Sequence, residues 1–164
     1  MELKEGAGVR FMQTFARNSA EGNGAELVAQ FADSFLYAGP AGNNWVRAGD
    51  FALALPKRKQ IFAQAGHRST ELIEAQEFWL GERYVLVRTR WRFAFELPQR
   101  APYTLDTESS FLVDAGAEQF RILVYVAHQD IVEMMRERRA EEHAASCAGQ
   151  ERTATPTASN SDSE

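Results

Sequence analysis

The run Tyr84–Phe95, YVLVRTRWRFAF, constrains the fold more than any other part of the chain. Val85, Val87, Thr89, Trp91, Phe93 and Phe95 alternate along it with Arg88, Arg90 and Arg92. Successive side chains of a strand point to opposite faces, so this is a long strand with one apolar and one charged face. In a 164-residue chain such a strand dominates one sheet. Its apolar face must be covered from within, and its charged face meets solvent or a partner.

The rest of the chain falls into two parts around this strand. Helical spacing of Phe11, Met12, Phe15 and Ala16 predicts a helix over Val9–Ala20. Asn23 stands three residues before Glu26, a capping-box pattern that opens a short second helix. A short strand follows over Asp33–Ala38, and residues 39–44 (GPAGNN) read as a loop. A helical turn is expected at Asp50–Leu55 and a separate helix at Pro56–Ala65, since proline suits a first helical turn. After Gly66 long strands take over, at Ser69–Leu80, Tyr84–Phe95, Tyr103–Val113 and Gln119–Ala127. Asp130 and Glu133 then open a last helix that runs to about Arg139. Helices first and a strand meander last imply an α+β fold, a cone-like curved antiparallel sheet with N-terminal helices on its concave face.

The boundary of the domain is set by charge and hydropathy. Residues 140–164 carry five acids against one base, which accounts for −4 of the net charge of −5. They have no apolar period, so the expected organisation is a domain over 1–139 and a disordered, polar, acidic tail over 140–164. The near-neutral domain carries no nucleic-acid footprint. No apolar run is long enough for a membrane helix, and the N-terminus lacks a signal-peptide core. Cys147 is the single cysteine, so no internal disulfide can form and a cytoplasmic location is expected.

The segments FMQTFARNSAEGNGAELVAQFADSF and FRILVYVAHQDI resemble the nuclear transport factor two-like superfamily, which includes SnoaL-like cyclases and ketosteroid isomerases. The resemblance spans roughly Val9 to Ile131. It implies a pocket between the helices and the sheet. In ketosteroid isomerases that pocket holds a tyrosine, a basic aspartate and a protonated aspartate. Phe15, Ala38 and Ser109 stand at those three places here, so the resemblance implies a pocket without the isomerase acid–base groups. On this register Phe11, Phe15, Val87, Thr89, Trp91, Ser109, Phe111 and Tyr125 line an apolar, aromatic site for a small molecule. The other reading of these side chains is an ordinary filled core.

Other residues admit two readings each. His128 is a base oriented by Asp130, or a rim residue beside a helix cap. Glu71 and Glu77 share one strand face and Glu74 takes the other, so one set is either an inward base with a raised pKa or solvated charge. Lys57-Arg58-Lys59 is an anion-binding cluster or a solvated helix face. No metal-ligand spacing, phosphate loop or Ser-His-Asp order stands out in the chain, and no cofactor is expected. Arg88, Arg90 and Arg92 should lie opposite Asp106 and Glu108. Phe120, Ile122, Val124 and Val126 should all project from the outer face, and a homodimer through that face is expected to cover them, the last helix being the competing cover.

The function expected is therefore small-molecule binding with no assigned reaction and no assigned catalytic residue. One alternative is a cofactor-independent hydrolase, dehydratase or cyclase using His128, Tyr125 or an inward Glu. The other is a homodimeric interaction module with a vestigial pocket.

Overall fold

The computed structural model describes residues 6–116 and 118–153. The chain divides into two compact units, Met1–Ile131 and Val132–Glu164. The elements in order are α1 (Ala7–Ala20), α2 (Gly24–Ala29), β1 (Phe31–Gly39), β2 (Gly42–Arg47), α3 (Ala48–Gln64), β3 (His67–Leu80), β4 (Tyr84–Phe95), β5 (Tyr103–Asp114), β6 (Arg121–Ala127) and α4 (Ile131–Thr153). The four long strands and α1 fall where the sequence pattern puts them.

Four local expectations are corrected. Residues 39–44 do not form a loop: β1 and β2 pair as a hairpin, with Gly39 opposite Gly42, whose φ of 139° only glycine adopts readily. The separate turn and helix after Arg47 are one helix, α3, with Pro56 inside it. Proline removes one helical bond, but Ala52 and Pro56 are both exposed, so water can satisfy the freed carbonyl. Asn23 does precede α2, yet its amide donates to Glu21 Oε2 at 3.0 Å and caps nothing. The last helix does not stop near Arg139. α4 continues to Thr153 through a stretch that includes the strong helix formers Ala140, Glu141, Glu142, Ala144 and Ala145, with Arg138 and Glu142 paired at 3.5 Å one turn apart. The remainder of the expected tail lies outside the described residues.

The sheet has six strands in the order β2-β1-β6-β5-β4-β3. All neighbours are antiparallel except β1 and β6, which run parallel. One face, here called inner, is covered by α1 and α3. Its core includes Val85, Val87, Trp91, Phe95, Phe111, Val113 and Ile122 from the sheet, with Met12 of α1 and Phe31 and Phe35 of β1. On the outer face Arg92 pairs with Asp106 at 2.8 Å and Arg88 with Glu108 at 2.6 Å, as cross-strand alternation requires.

Two β-bulges decide which side chains face the core. A one-residue slip turns every later side chain to the opposite face. The first bulge lies between Leu72 and Glu74. It puts Glu71 opposite Arg92 and Glu74 opposite Arg90, so both face outward, while Glu77 pairs with Val87 and faces inward. The expected grouping of Glu71 with Glu77 is therefore wrong. The second bulge lies where Leu112 pairs with Val124 but Val113 pairs with Ile122. It splits the expected outer quartet. Val124 and Val126 stay outside. Ile122 is fully buried in the core, and Phe120 packs on Phe11 with ring centroids 5.8 Å apart.

Glu77 ties β3 to α1. Its carboxylate accepts from Gly6 N at 2.5 Å, Val9 N at 3.0 Å and Trp79 Nε1 at 3.3 Å. Gly6 and Gly8 let the helix start approach this closely: Gly6 has φ +78°, and a Cβ on Gly8 would sit 2.9 Å from Glu77 Oε2. Burial opposes the charge, but the amides at the helix start and the Trp79 indole outweigh it and hold the carboxyl below its ordinary 4.5. A carboxylate whose folded pKa is depressed stabilises the fold above its unfolded pKa, and the contribution is lost as pH falls through the folded value. Glu77→Gln should cost about 1–2 kcal/mol at neutral pH, as lost helix caps do. Denaturant melts of the two proteins should converge below pH 4.5; a constant gap down to pH 3 would show that the charge of Glu77 contributes nothing.

Candidate functional site

The centre of the inner face is polar. Thr89 and Ser109 are cross-strand partners on β4 and β5, and Trp91 follows Thr89 on the same face. Ser109 Oγ lies 3.0 Å from Thr89 Oγ1, and the Thr89 hydroxyl also reaches the Ser109 carbonyl at 2.9 Å. Trp91 Nε1 donates toward Thr89 Oγ1 at 2.7 Å and Ser109 Oγ at 3.0 Å. All three residues are buried. The Tyr125 hydroxyl, from β6, reaches the same Ser109, and loss of water around it raises its pKa above that of a free tyrosine. Four polar groups thus share one network in an otherwise apolar interior.

Aromatic walls surround this floor. Phe15 of α1 reaches Phe111 at 5.4 Å, Phe31 at 5.9 Å and Trp91 at 6.1 Å. Tyr125 stacks on Phe111 at 4.6 Å and meets Tyr37 edge-on at 5.3 Å. Phe11, Phe15, Tyr37, Phe93 and Tyr125 keep part of their surface exposed, whereas Thr89, Ser109 and Trp91 do not. Val87 and Phe111 are fully buried and act as packing.

All eight expected lining residues belong to the inner-face core or pack directly against it. Tyr37 is the addition. It faces inward from β1, and its neighbour Ala38 pairs with Val126 of the outer face, so the carry-over onto Ala38 was one residue out of phase. The inward phase of Phe35 and Tyr37 was the signal. Two open depressions of the surface lie elsewhere. One, of about 350 Å³, is lined by Arg68, Phe95, Glu96, Pro102 and Tyr103. The other, of about 170 Å³, lies at Glu74, Gln76, Arg88, Arg90 and Glu108, with Thr89 the sole expected site residue beside it.

The titratable candidates separate. Glu77 is inward but is held as an anion at the start of α1, the opposite of a base with a raised pKa. His128 is on the outer face, where its Nε2 lies 2.9 Å from Ser110 Oγ and its Nδ1 lies 3.5 Å from Glu108 Oε2. Lys57, Arg58 and Lys59 are exposed on α3, with Arg58 lying over the Phe62 ring at 4.7 Å. Among the described residues no cluster of three or more His, Cys, Asp or Glu is placed to hold a metal, and no helix is long and apolar enough to cross a membrane.

No protein-family model matches the chain, and no curated protein matches it. Solved structures do. The β subunit of benzoate 1,2-dioxygenase from Burkholderia mallei superposes with a TM-score of 0.62 at 10% identity, over 77% of this chain and 91% of that one. An NTF2-like protein of unknown function from Shewanella oneidensis gives 0.56 at 10% identity, over 74% and 95%. An NTF2-like protein with a cystatin-like fold from Novosphingobium aromaticivorans gives 0.60 at 10% identity, over 73% and 77%. The chain has the NTF2-like fold.

The packing around Trp91 is directly testable. Trp91→Ala removes a buried ring and the donor shared by two hydroxyls, and should lower unfolding free energy by roughly 3–5 kcal/mol in a denaturant titration. A loss under about 1 kcal/mol would mean that the ring borders open space rather than packed neighbours.

Proposed function

We propose that the chain is an NTF2-like domain that binds an apolar or aromatic small molecule on the inner face of its sheet, in the cytoplasm, without a cofactor. The observation that supports this reading most is the contrast in burial: a hydroxyl and indole floor shut away from water under aromatic walls that keep part of their surface open. The hydrogen bonds among these groups offset much of the cost of burying them at the centre of the core. A ring bearing one hydroxyl or carbonyl would match both layers, the ring among Phe15, Tyr37 and Tyr125 and the oxygen at Ser109 or Tyr125.

A panel of mono- and bicyclic phenols, screened by thermal shift, tests this. A phenol present at 100 times its Kd stabilises by about 2.7 kcal/mol, which raises Tm by roughly 5–10 °C in a chain of this size. Ser109→Ala should abolish the shift. A flat screen, or shifts unchanged by Ser109→Ala, would count against the inner face as a binding site. Ketosteroid isomerisation should not be detectable, because Phe15 and Ser109 replace two of the three acid–base groups the resemblance implies and Ala38 faces away from the site.

A second reading, a homodimer through the outer face, is favoured by one feature. Trp45, Leu36, Val124, Leu112, Leu86 and Phe78 are successive register partners across all six strands. Trp45 is 74% exposed and Phe78 51% exposed at the two ends of this row. A second copy laid across the row would cover it, with the arginine ladder as a polar rim. Phe78→Glu should then convert a dimer into a folded monomer in light scattering; a wild type already monomeric at high concentration would exclude the dimer.

A further inference from the structure

We propose that Ser110, His128 and Glu108 form a nucleophile–base–acid triad on the outer face, competent to hydrolyse small carboxylic esters. This site is separate from the inner-face floor and does not depend on it. Chain order hides it, because the acid and the nucleophile are two residues apart on β5 and the histidine follows β6. The fold brings them together. Glu108 and Ser110 share the outer face of β5, and the His128 amide donates to the Glu108 carbonyl at 3.0 Å, which sets the ring above both side chains.

The geometry assigns each role. Ser110 Oγ is 2.9 Å from His128 Nε2. Glu108 Oε2 is 3.5 Å from Nδ1 on the other side of the ring. With its proton on Nδ1, facing the carboxylate, the imidazole presents a lone pair at Nε2, and the serine hydroxyl donates to it. The 3.5 Å separation is long for a hydrogen bond, and such contacts tighten once substrate is bound. Glu108 is itself fixed: Arg88 binds it at 2.6 Å, and Gln129 Oε1 accepts from its backbone amide at 2.7 Å. The Arg88 hydrogen bond holds the Glu108 carboxyl below the usual carboxylate range, so it is ionised where the ring needs an anion.

A depression of about 170 Å³ lies beside the cluster, lined by Arg88 and Glu108 but by neither Ser110 nor His128, and substrate would approach through it. That volume equals roughly five or six waters, enough for a short acyl group. Arg88 is the register partner of Ser110, and its guanidinium is held on Glu108 Oε2. In the first half-reaction Ser110 Oγ bonds to the acyl carbon and its proton passes to His128 Nε2. The ester C–O bond breaks and the alcohol leaves with that proton. Water then attacks the acyl-serine, the carboxylic acid departs and the proton returns to Oγ.

The test is hydrolysis of p-nitrophenyl acetate together with labelling by a fluorophosphonate probe, with the modified residue located by mass spectrometry. Wild type should turn over the ester above the buffer rate and carry the label on Ser110. Ser110→Ala and His128→Gln, both at part-exposed or exposed positions that leave the fold intact by circular dichroism, should each lose at least about 100-fold in kcat. Glu108→Gln should lose less than either while keeping Ser110 labelled, only more slowly. Absence of turnover, a label on another residue, or equal rates for wild type and Ser110→Ala would overturn the assignment.

Discussion

The register of β4 against its two neighbours is the constraint on which the rest of this structure depends. β4 is paired along its whole length with β3 on one edge and β5 on the other, residue for residue with β5 from Tyr84–Asp114 to Phe95–Tyr103. Alternation then sorts everything it touches. Val85, Val87, Thr89 and Trp91 meet the helices, and Arg88, Arg90 and Arg92 meet the acids of β3 and β5. A slip of one residue would bury three arginines and expose Trp91, a cost far beyond the few kcal/mol by which a domain of this size is stable. One strand therefore fixes both the chemistry of the interior and that of the exterior.

Where the sequence was legible, it was legible through this alternation. The limits of β3, β4 and β5, the composition of the inner face and the arginine ladder all follow from a period of two. What was not legible are the points where that period breaks. The bulge after Leu72 reverses the phase of β3, so Glu74 joins Glu71 outside and Glu77 turns in. The bulge opposite Val113 reverses the phase of β6, so Ile122 and Phe120 leave the outer face. Neither bulge has a glycine or proline to announce it, since LIE and ILV are ordinary strand residues. The β1–β2 hairpin was hidden for the converse reason: GPAGNN is rich in turn residues, and only pairing with β1 makes a strand of its second half.

The candidate sites show the same division. The inner-face residues came from alternation and from a resemblance of fold, and the fold is shared with structures at about 10% identity. Likeness at that level carries the path of the backbone and not the chemistry. The Thr89–Ser109–Trp91–Tyr125 network depends on cross-strand distances that no single strand reveals. At Glu77 the direction of the side chain and its chemistry part company. It does point inward, but it meets the positive end of α1 rather than an apolar wall, and a carboxylate there is an anchor instead of a base.

The outer face sets two chemistries side by side on the same strand. Leu112 belongs to the apolar row that crosses the sheet, and Ser110 and Glu108, one and two steps further along the same face of β5, belong to the charged and hydroxylic region around His128. Adjacent same-face residues of a strand are only about 7 Å apart, so a second copy seated on the row would reach the edge of that region. Its effect would depend on where it stopped. Cover ending at Leu112 would leave Ser110 at the rim, with Arg88 and the depression beside it open to water. Cover extending to Glu108 would bury an ion pair together with the hydroxyl and close the site to any ester. The two readings of this face are thus not independent: labelling of Ser110 in a dimer would itself locate the edge of the interface between Ser110 and Leu112.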